Sequence, residues 1–320
     1  MKEEKVGFYS EGKRISAILR LPDGSSSEPW PGIVQGPGWL GLKDAKLYLP
    51  YHEALTAAGY SVLIFDYRGF GESEGDRGVI LPQLQLEDLT NAVTYLTTRE
   101  DVDADNIGVF GSGGTGGGNA ILLAASDDRI RVAVSQVPVA DGEDWLHRMR
   151  REYEWQEFLD RLENDRRERV VTGTGEMVHP REEIMVPTPE RRATNVKADV
   201  DERIPSSVPL RCAEAIMQYR PIDVVDRVAP AGLMVIGVEK DATTPTDHAT
   251  SLYEKARAPK KLVMQGHTTH YAAYKQYGDH VIPLIVDWFA EHFDGGAVRV
   301  RSASRLEVDE LLVKEVQVDG

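Results

Sequence analysis

The sequence predicts an α/β fold: a mainly parallel sheet with helices on both faces and a helical segment inserted at its carboxyl edge. Three observations carry this. Short runs rich in β-branched residues alternate with helical stretches along most of the chain, the pattern of repeated βαβ units. A glycine-rich stretch, Gly111 to Gly118, joins an apolar strand to a helix. The alternation breaks after Val139 and resumes at Gly232.

Val6 to Tyr9 and Ile15 to Leu21 read as two strands joined at Glu11-Gly12, an antiparallel hairpin. Pro31 to Gln35 is the next strand and runs into the loop Gly36-Pro37-Gly38-Trp39-Leu40-Gly41. Tyr51 to Ala58 is helical and stops at Gly59. Tyr60 to Phe65 is a strand. Leu84 to Leu96 is a helix with Leu86, Leu89, Val93 and Leu96 on one face. Ile107, Val109 and Phe110 form the strand before the glycines, Ala120 to Ala125 the helix after them, and Arg131 to Val137 a further strand. Gly232 to Gly237 and Lys261 to Met264 are strands flanking a helix, Ala249 to Ala256. His280 to Phe293 closes the pattern with Ile282, Ile285, Val286 and Phe289 on its buried side.

This places a core at 1–139 and 221–294, with 140–220 inserted where ligands bind in such sheets. The insertion holds a charged helical segment, Asp144 to Arg169, and a polar, proline-containing stretch, Thr172 to Pro209. Its arginines, from Arg148 to Arg169, interleave with carboxylates and read chiefly as a solvated face with i,i+4 pairs. One or two of these arginines could still point inward and hold a carboxylate. The extension 295–320 carries Val298, Val300, Leu306, Val308, Val313, Val316 and Val318, partly at strand spacing. It reads as an extra hairpin, with a homodimer arm as the alternative.

Composition narrows the class. At 320 residues the chain can bury a full core. A net charge of -15 argues against nucleic acid as a partner. Cys212 is the only cysteine, so no internal disulfide can form. The charged N-terminus, Met1-Lys2-Glu3-Glu4-Lys5, lacks an apolar signal region, and no apolar stretch is long enough for a membrane. A cytoplasmic protein acting on a small molecule is expected.

Two motifs use a glycine-rich strand-to-helix turn. One is the dinucleotide turn G-x-G-x-x-G, which six glycines in eight residues match almost by chance. No acidic residue ends a second strand about 20 residues later, as that motif requires. The other is the nucleophile elbow, G-x-S-x-G. Counted from Gly111, its nucleophile position falls on Gly113; counted back from the helix, it falls on Gly114.

Four further motifs decide for the elbow. They are Gly38-Trp39-Leu40-Gly41-Leu42-Lys43-Asp44, Phe65-Asp66-Tyr67-Arg68-Gly69-Phe70-Gly71-Glu72-Ser73, Gly237 to Pro245 around Asp241, and Gly266-His267-Thr268-Thr269-His270-Tyr271. Over 1–140 and 210–294 the chain resembles the α/β-hydrolase superfamily. It is similar above all to dienelactone-hydrolase-like and acetyl-xylan-esterase-like bacterial enzymes and to fungal polyketide-processing hydrolases. The motifs correspond to that family's oxyanion loop, its D-x-R-G-x-G-x-S turn, its acid loop and its base loop. Pro37 stands where the family has histidine, and the elbow lacks its nucleophile.

The resemblance implies a base, His270, and an acid, Asp241, with His267 and Glu239 as competitors. It implies an oxyanion hole from the Trp39 N–H and an N–H near Gly114, since Pro37 has none to donate. Arg68 is expected to bridge loops, and Asp66 to be a turn residue. Trp39, Trp145, Tyr153 and Tyr271 are candidate substrate contacts. Ser112 and Thr115 are candidate displaced nucleophiles. Otherwise His270 and Asp241 activate water directly, or glycine has replaced a serine and left an impaired enzyme. The implied activity is hydrolysis of an ester or related acyl bond of a small to medium organic substrate, without metal or organic cofactor. A lyase or carbon–carbon hydrolase using the His–Asp dyad, and a non-catalytic ligand-binding protein, are the alternatives.

Overall fold

The computed structural model describes residues 1–24, 26–193, 202–293 and 313–316. Two antiparallel strands, β1 (Lys2–Ser10) and β2 (Lys13–Leu21), open the chain. Glu11 and Gly12, both with positive φ, make the tight turn between them. Then follow β3 (Trp30–Gly36), α1 (Leu49–Ala57), β4 (Ser61–Phe65), α2 (Pro82–Thr97), β5 (Val102–Ser112), α3 (Gly114–Ser126) and β6 (Ile130–Gln136). Past the insertion come β9 (Gly232–Val238), α8 (Thr246–Lys255), β10 (Lys260–Gln265), α9 (His270–Lys275), α10 (Gly278–His292) and β11 (Val313–Val316). Among the described residues nine strands form one sheet, in the order β1-β2-β4-β3-β5-β6-β9-β10-β11. The six from β4 to β10 pair in parallel, and β1, β2 and β11 are antiparallel at the edges.

Both faces of the parallel strands are buried, so they read as unbroken apolar runs. Alternate residues point to opposite faces. Ile33, Val62, Phe110, Val132, Val134, Ile236 and Val263 pack under α1 and α10. Val34, Leu63, Val109, Ala133, Leu233, Val235 and Leu262 share the other core with Leu89 and Val93 of α2, Leu123 of α3 and Leu252 of α8. On α10 the buried stripe is Val281, Ile285, Trp288 and Phe289, while Ile282 and Val286 are only partly covered. The apolar face is therefore rotated slightly from the one read in the sequence.

Between β6 and β9 lie α4 (Gly142–Arg148), α5 (Glu152–Thr172), β7 (Met177–Val178), a single turn at Pro180–Ile184, α6 (Pro189–Ala193), β8 (Val208–Pro209) and α7 (Arg211–Met217). The α5 arginines pair largely with local carboxylates, as Arg161 does with Glu176 and Glu183, and Arg169 with Asp165 and Glu214. Arg150 turns inward instead, donating to the carbonyls of Leu146, Glu183 and Ile184 and covering the Phe158 ring. Of the extension, Val313–Val316 adds a strand to the β10 edge. Val298, Val300, Leu306, Val308 and Val318 lie outside the described residues. Among the described residues no helix is long and apolar enough to cross a membrane.

Candidate active site

The strand order reverses beside β3: β4 lies on one side of it and β5 on the other. Loops leaving the carboxyl ends of β3 and β5 diverge there and leave a crevice. The glycine turn sits at this point. Ser112 ends β5, Gly114 is the first residue of α3, and Gly113 between them has φ 82° and ψ 156°. Gly113 is therefore the apex of the turn, in a backbone conformation that glycine adopts without strain. The loop after β3 presses against it. A Cβ on Gly38 would stand 2.6 Å from the Ser112 carbonyl oxygen, so only glycine allows this approach.

Buried polar contacts hold that loop. The Lys43 ammonium donates to Asp66 at 2.6 Å and to Glu72 at 2.7 Å. Asp66 also accepts from the backbone N–H groups of Lys43 and Glu72. Asp66 is thus more than a turn residue: it ties the loop after β3 to the one after β4. Arg68 bonds Asp88, Glu87 and Ser10 and joins the β4 loop to α2 and β1.

Asp241 follows β9 and His270 opens α9 after β10. His270 Nδ1 lies 2.7 Å from Asp241 Oδ2, with both side chains buried. The other carboxylate oxygen, Oδ1, accepts from the N–H groups of Thr243 and Thr244 at 2.7 and 2.8 Å. With Nδ1 committed to Asp241, Nε2 is the nitrogen left for other chemistry. Tyr271 and Tyr274 pack edge-on against the imidazole, at ring distances of 4.9 and 5.6 Å. The competitors separate cleanly. His267 is exposed at positive φ, and its backbone N–H bonds the exposed Glu239.

A cavity of about 380 Å³ opens over these groups. Ser112, Gly113, Gly114, Trp39, His270 and Tyr271 line it. So does Trp145 of the insertion, whose indole N–H donates to the Thr243 carbonyl while its ring meets Trp39 edge-on at 5.8 Å. Burial pushes the Tyr274 phenol well above its usual range, an effect opposed by the nearby Ser112. Two expected residues are elsewhere. Thr115 is buried in the first turn of α3, away from the cavity lining. Tyr153 is 57% exposed on α5, because that helix turns Trp155, Phe158 and Leu162 inward instead. Conversely, Tyr274, Arg181, Met185 and Ile204 line the cavity without having been singled out in the sequence. Tyr274, one helical turn from His270, was the one that spacing could have found.

The comparisons agree with this architecture. Over 290 residues the chain is 29% identical to the uncharacterized 31.7 kDa protein of the traX-finO intergenic region of Escherichia coli, covering 90% of this chain and 99% of that one. It is 32% identical over 150 residues to thiohydrolase aneE of Aspergillus aculeatus, covering 44% of this chain and 45% of that protein. The solved structure of DcsB with its substrate analogue superposes at a TM-score of 0.79 and 18% identity, over 92% of this chain and 100% of that one, a likeness of fold. The profile of the S15 family of X-Pro dipeptidyl-peptidases matches residues 11–272. The chain belongs to that S15 family and is a hydrolase of the α/β-hydrolase fold.

Proposed function

We propose that the chain hydrolyses a carboxylic ester or thioester of a small to medium organic acid, with His270 activating the attacking water. The observation that carries this is the His270–Asp241 pair, oriented at 2.7 Å and facing the cavity at a turn whose apex, Gly113, offers no hydroxyl. Likeness to a thiohydrolase supports an acyl bond as the target.

In this reading His270 Nε2 takes a proton from water as its oxygen adds to the acyl carbon. Asp241 stabilises the imidazolium and fixes its tautomer. The carbonyl oxygen becomes an oxyanion between the N–H groups of Trp39 and Gly114. Gly114 opens a helix, so its N–H is among the donors that no helix carbonyl satisfies. Collapse breaks the bond to the alkoxide or thiolate, which leaves with the proton from His270. The products are the free acid and an alcohol or thiol. The cavity fits a compact substrate. Residues 140–220 serve as a cap over the core of 1–139 and 221–294, with Trp145 as one wall.

Initial rates on p-nitrophenyl and thiophenyl esters of short acids test the proposal. His270→Ala should lower turnover by roughly a hundredfold or more, the contribution of a positioned general base. His267→Ala should cost less than twofold. Equal effects of the two substitutions, or wild-type rates no faster than buffer, would overturn the reading.

A further inference from the structure

The cavity wall is cationic on a strongly acidic protein. The chain carries a net charge of -15. Yet among the described residues Lys46, Arg181, Arg191 and Arg203 line the cavity, against the carboxylate of Asp44. That carboxylate is already held by Arg203, at 2.9 Å. The charge of the wall therefore runs opposite to that of the whole molecule.

Arg181 stands out within this wall. It sits on the single turn Pro180–Ile184 of the insertion. Its Nε is buried and has no hydrogen-bond partner, and one Nη makes a long bond, 3.4 Å, to the carbonyl of Leu40 in the loop that carries Trp39. It makes no ion pair among the described residues. Burial, reinforced by the neighbouring Arg191 cation, pushes its guanidinium down to about 10. Arg181 is half-buried, and an arginine partly withdrawn from water is ordinarily matched by a carboxylate. Three further residues of the same wall carry buried, unpartnered polar atoms: Trp39 Nε1, Thr243 Oγ1 and Thr244 Oγ1. Buried polar groups without partners are uncommon enough to need a reason, and the residues that carry these atoms line one cavity.

We infer that the substrate is a half-ester or half-thioester of a dicarboxylic acid, whose free carboxylate is bound by the guanidinium of Arg181. The inference rests on the hydrolytic reading for the ester end and on Arg181 alone for the acid end. The planar fork of arginine matches a carboxylate with two parallel N–H donors. Arg191 donates to the Tyr271 hydroxyl at 3.0 Å, and the Tyr271 ring packs on His270. Arg181 and Tyr271 line the same cavity. The carboxylate subsite thus adjoins the base, on the insertion side of the cavity.

Binding tests this without turnover. Titration calorimetry compares the mono-anilide of glutaric acid with its neutral counterpart, in which a primary amide replaces the carboxylate. The wild type should prefer the acid by roughly ten- to a hundredfold, the worth of a charge-assisted pair. Arg181→Gln should bring the two ligands within about twofold, and Arg181→Lys should keep only part of the preference. Equal wild-type affinities, or a preference that survives in Arg181→Gln, overturns the subsite; the wild-type comparison decides even if the variant fails to fold. Rates on phenyl hydrogen glutarate and phenyl methyl glutarate separate the two claims. Selective binding with no hydrolysis of either ester sinks the hydrolytic reading and leaves the subsite. Equal hydrolysis of both with no binding preference sinks the subsite and leaves the hydrolytic reading.

Discussion

At the scale of a residue, the proposed chemistry turns on Gly113. A side chain there would enter a backbone conformation that L residues rarely adopt, yet its Cβ would meet only Gly38 Cα at 3.3 Å and the Tyr274 hydroxyl at 3.9 Å. The elbow motif places its nucleophile at such a strained apex. Gly113→Ser should therefore fold with a stability loss of about 1–3 kcal/mol, the cost of one residue in a sparsely populated region. It should also raise ester turnover by about a hundredfold or more, since a serine beside a positioned His–Asp pair would supply a covalent nucleophile. Mass spectrometry should find an acyl adduct on residue 113, and Gly114→Ser, inside the first turn of α3, should give none. If Gly113→Ser gains nothing while Ser112→Ala abolishes activity, the hydroxyl has moved to Ser112, which lines the same cavity. That His270 and Asp241 come together was legible in the sequence because each follows a recognisable strand within a dense local motif. Which glycine formed the apex was not legible, because a run of glycines gives no register. That choice is fixed by where α3 takes its first helical residue, and glycine supplies no side-chain cap to announce it.

At the scale of an element, the loop after β3 supplies one proposed oxyanion donor and is held by the Lys43–Asp66 pair. Both side chains are nearly fully buried, at 4% and 0% exposure. Removing one member strands the other charge in the interior, whereas removing both does not. Asp66→Asn should cost about 3 kcal/mol, the low end for a broken buried pair because Glu72 still accepts from Lys43. The double variant Lys43→Met, Asp66→Asn should recover part of that loss in urea unfolding. Turnover should fall in both, because the loop that presents Trp39 loses its tie to β4. Strictly additive losses in the double variant would show that the pair is not coupled. The sequence marked this loop as a motif but gave Asp66 only a turn. Its partner Lys43 lies 23 residues upstream, and no local pattern joins them. The insertion shows the same limit more strongly. Its long charged helix was legible from composition, but α6, α7 and which of its arginines faces the cavity were not. Arg181 sits on a single turn without periodicity, so only the packing of the insertion onto the core brings it to Leu40 and Tyr271.

At the scale of the whole molecule, a mainly parallel sheet with helices on both faces followed from the alternation of elements. What that alternation hides is the polar seam through the core that joins α1 to the sheet. His52 of α1 is fully buried between Arg20 of β2, which donates to its Nδ1 at 2.6 Å, and Gln35 of β3, which takes the Nε2–H. Burial, and then the Arg20 charge, push the imidazole down to about 3 from its ordinary 6.5. In the folded protein it therefore stays neutral, while in the unfolded chain it takes a proton below pH 6.5. The unfolded state binds more protons across that window, so stability is fully present above pH 6.5 and is lost as pH falls toward 3. Each pH unit in this interval should cost about 1.4 kcal/mol through this one group. Between pH 7 and 5 the wild type should lose about 2 kcal/mol more than His52→Gln, whose side chain does not titrate. The carboxylates contribute to acid unfolding in both proteins, so the difference between the two urea-unfolding profiles isolates His52. Parallel profiles from pH 7 to 5 would mean that the buried imidazole is not the acid-sensitive joint. A widening gap would place that joint at the carboxyl end of β3, just before the loop that carries Trp39.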